Sequence, residues 1–142
     1  MAGEVTEPLV TVLSSDSVYR GINPHFYQQG QLLSGVFFLK KKHRLEEGPS
    51  VGIVRLISLP SFHSRMGEGW GVGELSVSVP QSQNLNVQSL PDSKWAEYAH
   101  AHAVITDYQK LSDKVRNDVA RVLRDALQKN ILVSPAERTT TK

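Results

Sequence analysis

Apolar and polar positions alternate most regularly in WGVGELSVSV, residues 70–79. Val72, Glu74, Ser76 and Ser78 share one face with Trp70, and Leu75, Val77 and Val79 share the other, as in a strand with one covered side. The stretches SVYRGI (17–22) and SGVFFLKK (34–41) are rich in β-branched and aromatic residues and read as two further strands. Between them, NPHFYQQGQ supplies Asn-Pro and Gly turn chemistry, so the pair is joined by an ordered loop. In PSVGIVRLISL, Val51, Ile53 and Leu56 suit another strand, which Gly52 weakens, whereas PSFHSRMGEGWG is polar, glycine-rich and aperiodic and reads as a loop. NLNVQSL alternates again over a shorter length and is expected to form a hairpin with the strand before it. PDSKWAEYAH is expected to make a helical turn, and HAHAVIT to return to strand. The period then changes: Val115, Val119, Val122, Leu123 and Ala126 recur at helical spacing, with Ser112 as N-cap and Asn130 as stop.

A run of strands followed by a helix argues against the alternating order of a doubly wound sheet. The expected fold is α+β: a mostly antiparallel sheet of about five to six strands with one long C-terminal amphipathic helix packed on it. At 142 residues the chain has the size of a single domain, placed at 8–134, with 1–7 and 135–142 as flexible termini. The segment KKHRLEEG (41–48) changes sign from basic to acidic and reads as a solvated connection.

Composition narrows the chemistry. With no cysteine, disulfides, thiol nucleophiles and thiolate metal sites are all excluded. A net charge of +2 is weak evidence for nucleic acid, which asks for a concentrated basic surface, so nucleic acid is not the expected partner. No stretch reaches the ~20 apolar residues that cross a bilayer, and MAGEVTEPLV lacks the basic-then-apolar order of a signal peptide. A cytoplasmic protein without a membrane role is the expectation.

Three positions could carry chemistry. Arg20 ends a strand, where its planar fork could clamp a phosphate or carboxylate, or tie two strands through a carboxylate such as Glu74. Glu74 lies inside the clearest strand, where a carboxylate needs a partner if it is buried. His102 could act as a general base or sit hydrogen-bonded in the core. With His100 it makes a pair on one strand face, the geometry by which a sheet offers two imidazoles to a metal. His25, His43 and His63 fall in expected loops and complete no ligand set, so no metal is expected. The glycines of GEGWGVGE precede a strand rather than a helix and lack the donors of a phosphate loop. Along the C-terminal helix, Lys114, Arg116, Arg121, Arg124 and Lys129 are interleaved with Asp113, Asp118 and Asp125, the mixture of a solvated face.

The segments VYRGINPHF, GQLLSGVFF, GPSVGIV, GVGELSV and AHAVI together resemble a family of small bacterial proteins without an assigned function. The resemblance spans roughly residues 17–106 and marks Arg20, Ser50, Glu74 and His102; Pro49 stands where the family pattern has leucine. The order Arg20, Ser50, Glu74 is also similar to that of ADP-ribosyl-transferring and NAD-cleaving folds, although the double-carboxylate signature around the glutamate is missing. Three functions follow as expectations. The first is a protein-binding domain, a component of a multi-gene regulatory or defence system or a homodimer, needing no cofactor. The second is an NAD-directed enzyme, with Arg20 on the pyrophosphate, Ser50 on the ribose and Glu74 on the developing cation. The third is an RNA-binding module using Tyr19, Phe26, Tyr27 and the basic stretch Lys40 to Arg44.

Overall fold

The computed structural model describes residues 11–37 and 49–136. Its strands are β1 (Ser17–Ile22), β2 (Tyr27–Gln28), β3 (Gln31–Leu32), β4 (Ser50–Ile53), β5 (Gly71–Ser76), β6 (Asn86–Ser89), β7 (His102–Thr106) and β8 (Ile131–Val133). Six of them form an antiparallel sheet in the order β6-β7-β4-β1-β5-β8, and β2 and β3 make a small separate hairpin. The α-helices among the described residues are α1 (Leu59–His63), α2 (Ser78–Ser82) and α3 (Asp113–Gln128). This is the expected α+β architecture.

Alternation along the strands gives the sheet two covered faces. Val18, Ile22, Val51, Ile53, Leu75, Ala103 and Ile105 point to one side and pack against Val119, Ala120, Leu123 and Leu127 of α3. The line 119–123–127 at four-residue spacing faces the sheet, so Val115 and Val122, expected in the stripe, lie on its flanks and stay 42% and 39% exposed. Close approach is possible because β5 carries Gly73, where a Cβ would meet Leu127 at 2.6 Å. Ser112 caps α3 as expected, its side chain accepting from the Val115 amide. The other sheet face holds a second cluster of Tyr19, Ile57, Phe62, Val72, Trp95 and Ala101, roofed by α1 and a 3-10 segment over Ser93–Ala101.

Several local expectations are corrected. SGVFFLKK does not run as a strand from its start: Ser34–Val36 is a 3-10 turn that buries Val36 and Phe37, and residues 38–48 lie outside the described segments. The loop at PSFHSR contains α1, for which Ser58 supplies the N-cap and Pro60 sits in the first turn where its missing N–H costs nothing. The alternation in WGVGELSVSV ends as strand at Ser76, because Pro80 cannot donate to a ladder and α2 begins instead. That helix carries the chain across the sheet, so β6 pairs with β7 at the far edge and makes no hairpin with β5. After Asn130 the chain adds β8, whose three residues are too few to show a period.

One ion pair holds the start of the sheet. Asp16, buried at 8% exposure, accepts from the Leu13 amide and from Nε and Nη2 of Arg55, and Arg55 Nη2 also donates to the Thr11 carbonyl. The Arg55 hydrogen bond, then the Leu13 amide and the Arg55 charge, hold the Asp16 carboxyl below the usual range against the opposing effect of burial. A depressed folded-state pKa contributes stability that is complete above the unfolded value and is lost as pH falls through the folded one. Asp16→Asn is therefore expected to melt below the parent at neutral pH, with the gap closing below about pH 4. Melting curves measured from pH 7 to 2 check this; a gap that stays constant with pH would exclude the ion pair as its source.

Candidate functional site

Ser50 and His102 meet on the second face of the sheet. Ser50 opens β4 and His102 opens β7, and the register sets Gly52 opposite His102 and Val104 opposite Ser50. Residues two apart on a strand share a face, so the serine and histidine are diagonal neighbours on adjacent strands. Ser50 Oγ lies 2.5 Å from His102 Nε2. The other ring nitrogen, Nδ1, lies 2.6 Å from the Leu90 carbonyl oxygen. A carbonyl only accepts, so the proton of a neutral imidazole is assigned to Nδ1 and Nε2 becomes the acceptor for the Ser50 hydroxyl. The three groups form a chain: hydroxyl, imidazole, main-chain carbonyl.

The surroundings fix this geometry from several sides. The Leu90 amide donates to the His102 carbonyl at 3.0 Å while the His102 ring donates back to the Leu90 carbonyl, closing the base of the 90–102 segment. Inside it, the Asp92 side chain caps the 3-10 segment by accepting from the Lys94 amide, and the Asp92 amide donates to Ala99. Trp95 stands edge-on to the His102 ring with centroids 4.8 Å apart, and Phe62 supports Trp95 at 5.8 Å. Arg65 ties the roof together, donating to the Ser61 and Trp95 carbonyls and stacking over the Tyr98 ring. His102 is buried at 8% exposure, whereas Ser50 is exposed and reachable. Both border a cavity of about 420 Å³ with Leu90, Pro91, Asp92, Ser93 and Val104, a volume in the range of small-molecule sites.

Next to Trp95, Ala96 has φ 53° and ψ −122°, a conformation that disfavours a Cβ and costs of order 1–3 kcal/mol. Ala96→Gly is expected to raise the stability of the protein by about 1 kcal/mol, offset in part by glycine's larger unfolded-state entropy. Chemical denaturation of the two proteins tests it, and a destabilised glycine variant would show that the Ala96 side chain contributes more by contact than its backbone loses by strain.

Of the four marked positions, the fold brings two together. Glu74 shares their face but not their site: His102, Gly52, Tyr19 and Glu74 are directly opposite one another on β7, β4, β1 and β5. Three strand spacings separate the ends of that row, about 14 Å. Phe62 fills the middle, its ring held where a Cβ on Gly52 would stand 2.7 Å away, and it packs on Tyr19 at 5.4 Å. The Tyr19 phenol is pushed up by burial first and by the Glu74 charge second. Arg20 points to the other face with Val18 and Ile22. Its Nε and Nη2 donate to the Val36 carbonyl, its guanidinium lies 5.5 Å from the Phe37 ring centroid, and Nη1 donates to the Ser50 carbonyl at 2.7 Å. Arg20, Ser50 and Glu74 thus do not surround one opening.

The remaining candidates are dispersed. His100 sits in the 3-10 segment rather than on β7, so it shares no strand face with His102, and no group of three His, Asp or Glu among the described residues could hold a metal ion. His63 Nε2 lies 2.9 Å from the Trp70 carbonyl, His25 is in the turn Pro24–Phe26, and His43 lies outside the described residues. Tyr19 and Tyr27 are buried rather than presented as stacking platforms, and Lys40 to Arg44 fall outside the described residues. No helix among the described residues is long and apolar enough to cross a membrane.

Leu90 and Trp95 complete the site and carried no signal in the sequence. Leu90 acts through its main-chain oxygen, which every residue type possesses, and Trp95 lies in a segment whose only legible feature was a helical turn. Comparisons with protein-family models, curated proteins and solved structures find no match to this chain.

Proposed function

We propose that the protein is a small serine-dependent acyl-transfer enzyme, in its simplest form a hydrolase of esters. The observation that supports this reading is the chain from the exposed Ser50 hydroxyl through His102 to the Leu90 carbonyl, at 2.5 and 2.6 Å, on the wall of a cavity. A nucleophile beside a base that is itself oriented by a third group is the general pattern of nucleophilic catalysis. Ser50 Oγ attacks the substrate carbonyl carbon as its proton passes to His102 Nε2. The leaving alkoxide departs with that proton, giving acyl-Ser50 and an alcohol. Water then attacks the acyl carbon, giving up a proton to Nε2, and the acid leaves as the proton returns to Ser50.

A carbonyl behind the imidazole holds its tautomer but supplies no negative charge to the imidazolium, so turnover is expected to be slower than with a buried carboxylate. Incubation with a fluorophosphonate, followed by intact-mass and peptide mass spectrometry, tests the reading. A single adduct on Ser50 is expected, and an unmodified protein at millimolar probe would remove it.

A second reading, a protein-binding domain, has its own support. Among the described residues β8 is the last strand of the sheet, with Leu132 45% exposed, and Val115 and Val122 on α3 are partly exposed. Sedimentation of the parent and of Leu132→Lys tests self-association through that edge. A parent that is monomeric at every concentration would dispose of the homodimer.

A further inference from the structure

We infer that Arg20 is a positioning residue for Ser50, acting from the opposite face of the sheet; the inference rests on the reading of Ser50 as nucleophile. Ser50 is the first residue of β4, and its side chain, on an exposed residue, is hydrogen-bonded to His102. Its main chain is held as well. The flanking Pro49 carbonyl accepts from the Ile105 amide at 3.0 Å, and the Ser50 carbonyl accepts from Arg20 Nη1 at 2.7 Å. The same guanidinium donates twice to the Val36 carbonyl and lies over Phe37, which is fully buried. One rigid fork therefore joins β4 to the turn Ser34–Val36 and sets the direction of the Ser50 peptide plane.

Orientation matters at this point because a displacement of ~1 Å at a nucleophile can lower a rate by about a hundredfold. A lysine at position 20 offers a point charge and cannot hold both carbonyls with the same planar geometry. This accounts for an arginine within β1, on the face where its neighbours Val18 and Ile22 are apolar core residues.

The test is the state of the His102 ring, read by NMR of protein carrying nitrogen-15-labelled histidine, which requires no turnover. In the parent, Nε2 is expected at the position of a hydrogen-bonded acceptor and Nδ1 at that of a protonated nitrogen. In Arg20→Lys and Arg20→Gln, Nε2 is expected to move toward the value of a ring without the serine bond, while Nδ1 keeps its bond to Leu90. Fluorophosphonate labelling of Ser50 is expected to slow about tenfold or more in both variants at a temperature where they are folded. An unchanged Nε2 signal in either folded variant overturns the inference, and so does unfolding of both variants, since Arg20 would then hold the whole fold rather than the serine. Absence of labelling in the parent removes the enzyme reading alone, because the imidazole signals still report whether Arg20 sets Ser50 against His102.

Discussion

Ser50→Ala is expected to abolish fluorophosphonate labelling and to cut ester turnover to a small residual rate while melting close to the parent. Ser50 is an exposed residue whose hydroxyl bonds His102, so its removal changes the chemistry far more than the fold. His102→Gln is expected to reduce the labelling rate by about 10²–10⁴-fold, the usual contribution of a general base. It should also cost on the order of 1–3 kcal/mol, because the Leu90 carbonyl and the edge of Trp95 lose their partner. The discriminating measurement is the double variant. If the two residues act as one unit, Ser50→Ala with His102→Gln turns over ester no more slowly than Ser50→Ala alone, since groups that serve one step are strongly non-additive. Additive losses would mean that the hydroxyl and the imidazole touch without working together, and the pair would then be a structural hydrogen bond between two strands. Turnover by Ser50→Ala at the parental rate would place any esterase activity elsewhere.

How much of this was legible in the sequence depends on the range of the signal. The strands at Ser17–Ile22 and Gly71–Ser76 and the helix after Ser112 were readable because period and capping are local properties. Strand pairing was not: β6 follows β5 in the chain at a spacing that suits a hairpin, and nothing within the segment reveals that α2 carries it to the opposite edge. The site was half legible for the same reason. Ser50 and His102 could be marked one by one, but the contact between them depends on β4 and β7 being neighbours, which is a matter of register across 52 residues. Arg20 and Glu74 could equally be marked, and a strand of alternating faces then sends them to opposite sides of the sheet. The order of residue types along a chain does not encode the face on which each will stand once neighbouring strands are set.

The face-by-face division also predicts which core mutations reach the site. Phe62→Ala removes a ring that is 1% exposed and touches both Tyr19 and Trp95, and is expected to cost about 3–5 kcal/mol. For a chain of this length that corresponds to a fall in melting temperature of roughly 10–15 °C. Leu123→Ala, fully buried in the first core against the other face, is expected to cost a comparable ~2–5 kcal/mol. The two should part company in their effect on Ser50. Phe62 supports Trp95, Trp95 walls His102, and the space left over Gly52 lets that wall relax, so labelling of Ser50 should slow in Phe62→Ala even at temperatures well below its transition. Leu123 has the sheet between itself and the site, and its variant should label at the parental rate wherever it is folded. Labelling rates measured at matched distances below each melting temperature make the comparison. Equal slowing in both would mean that the site follows global stability, whereas slowing confined to Phe62→Ala would show that Phe62 and Trp95 transmit packing on one face of the sheet to the imidazole.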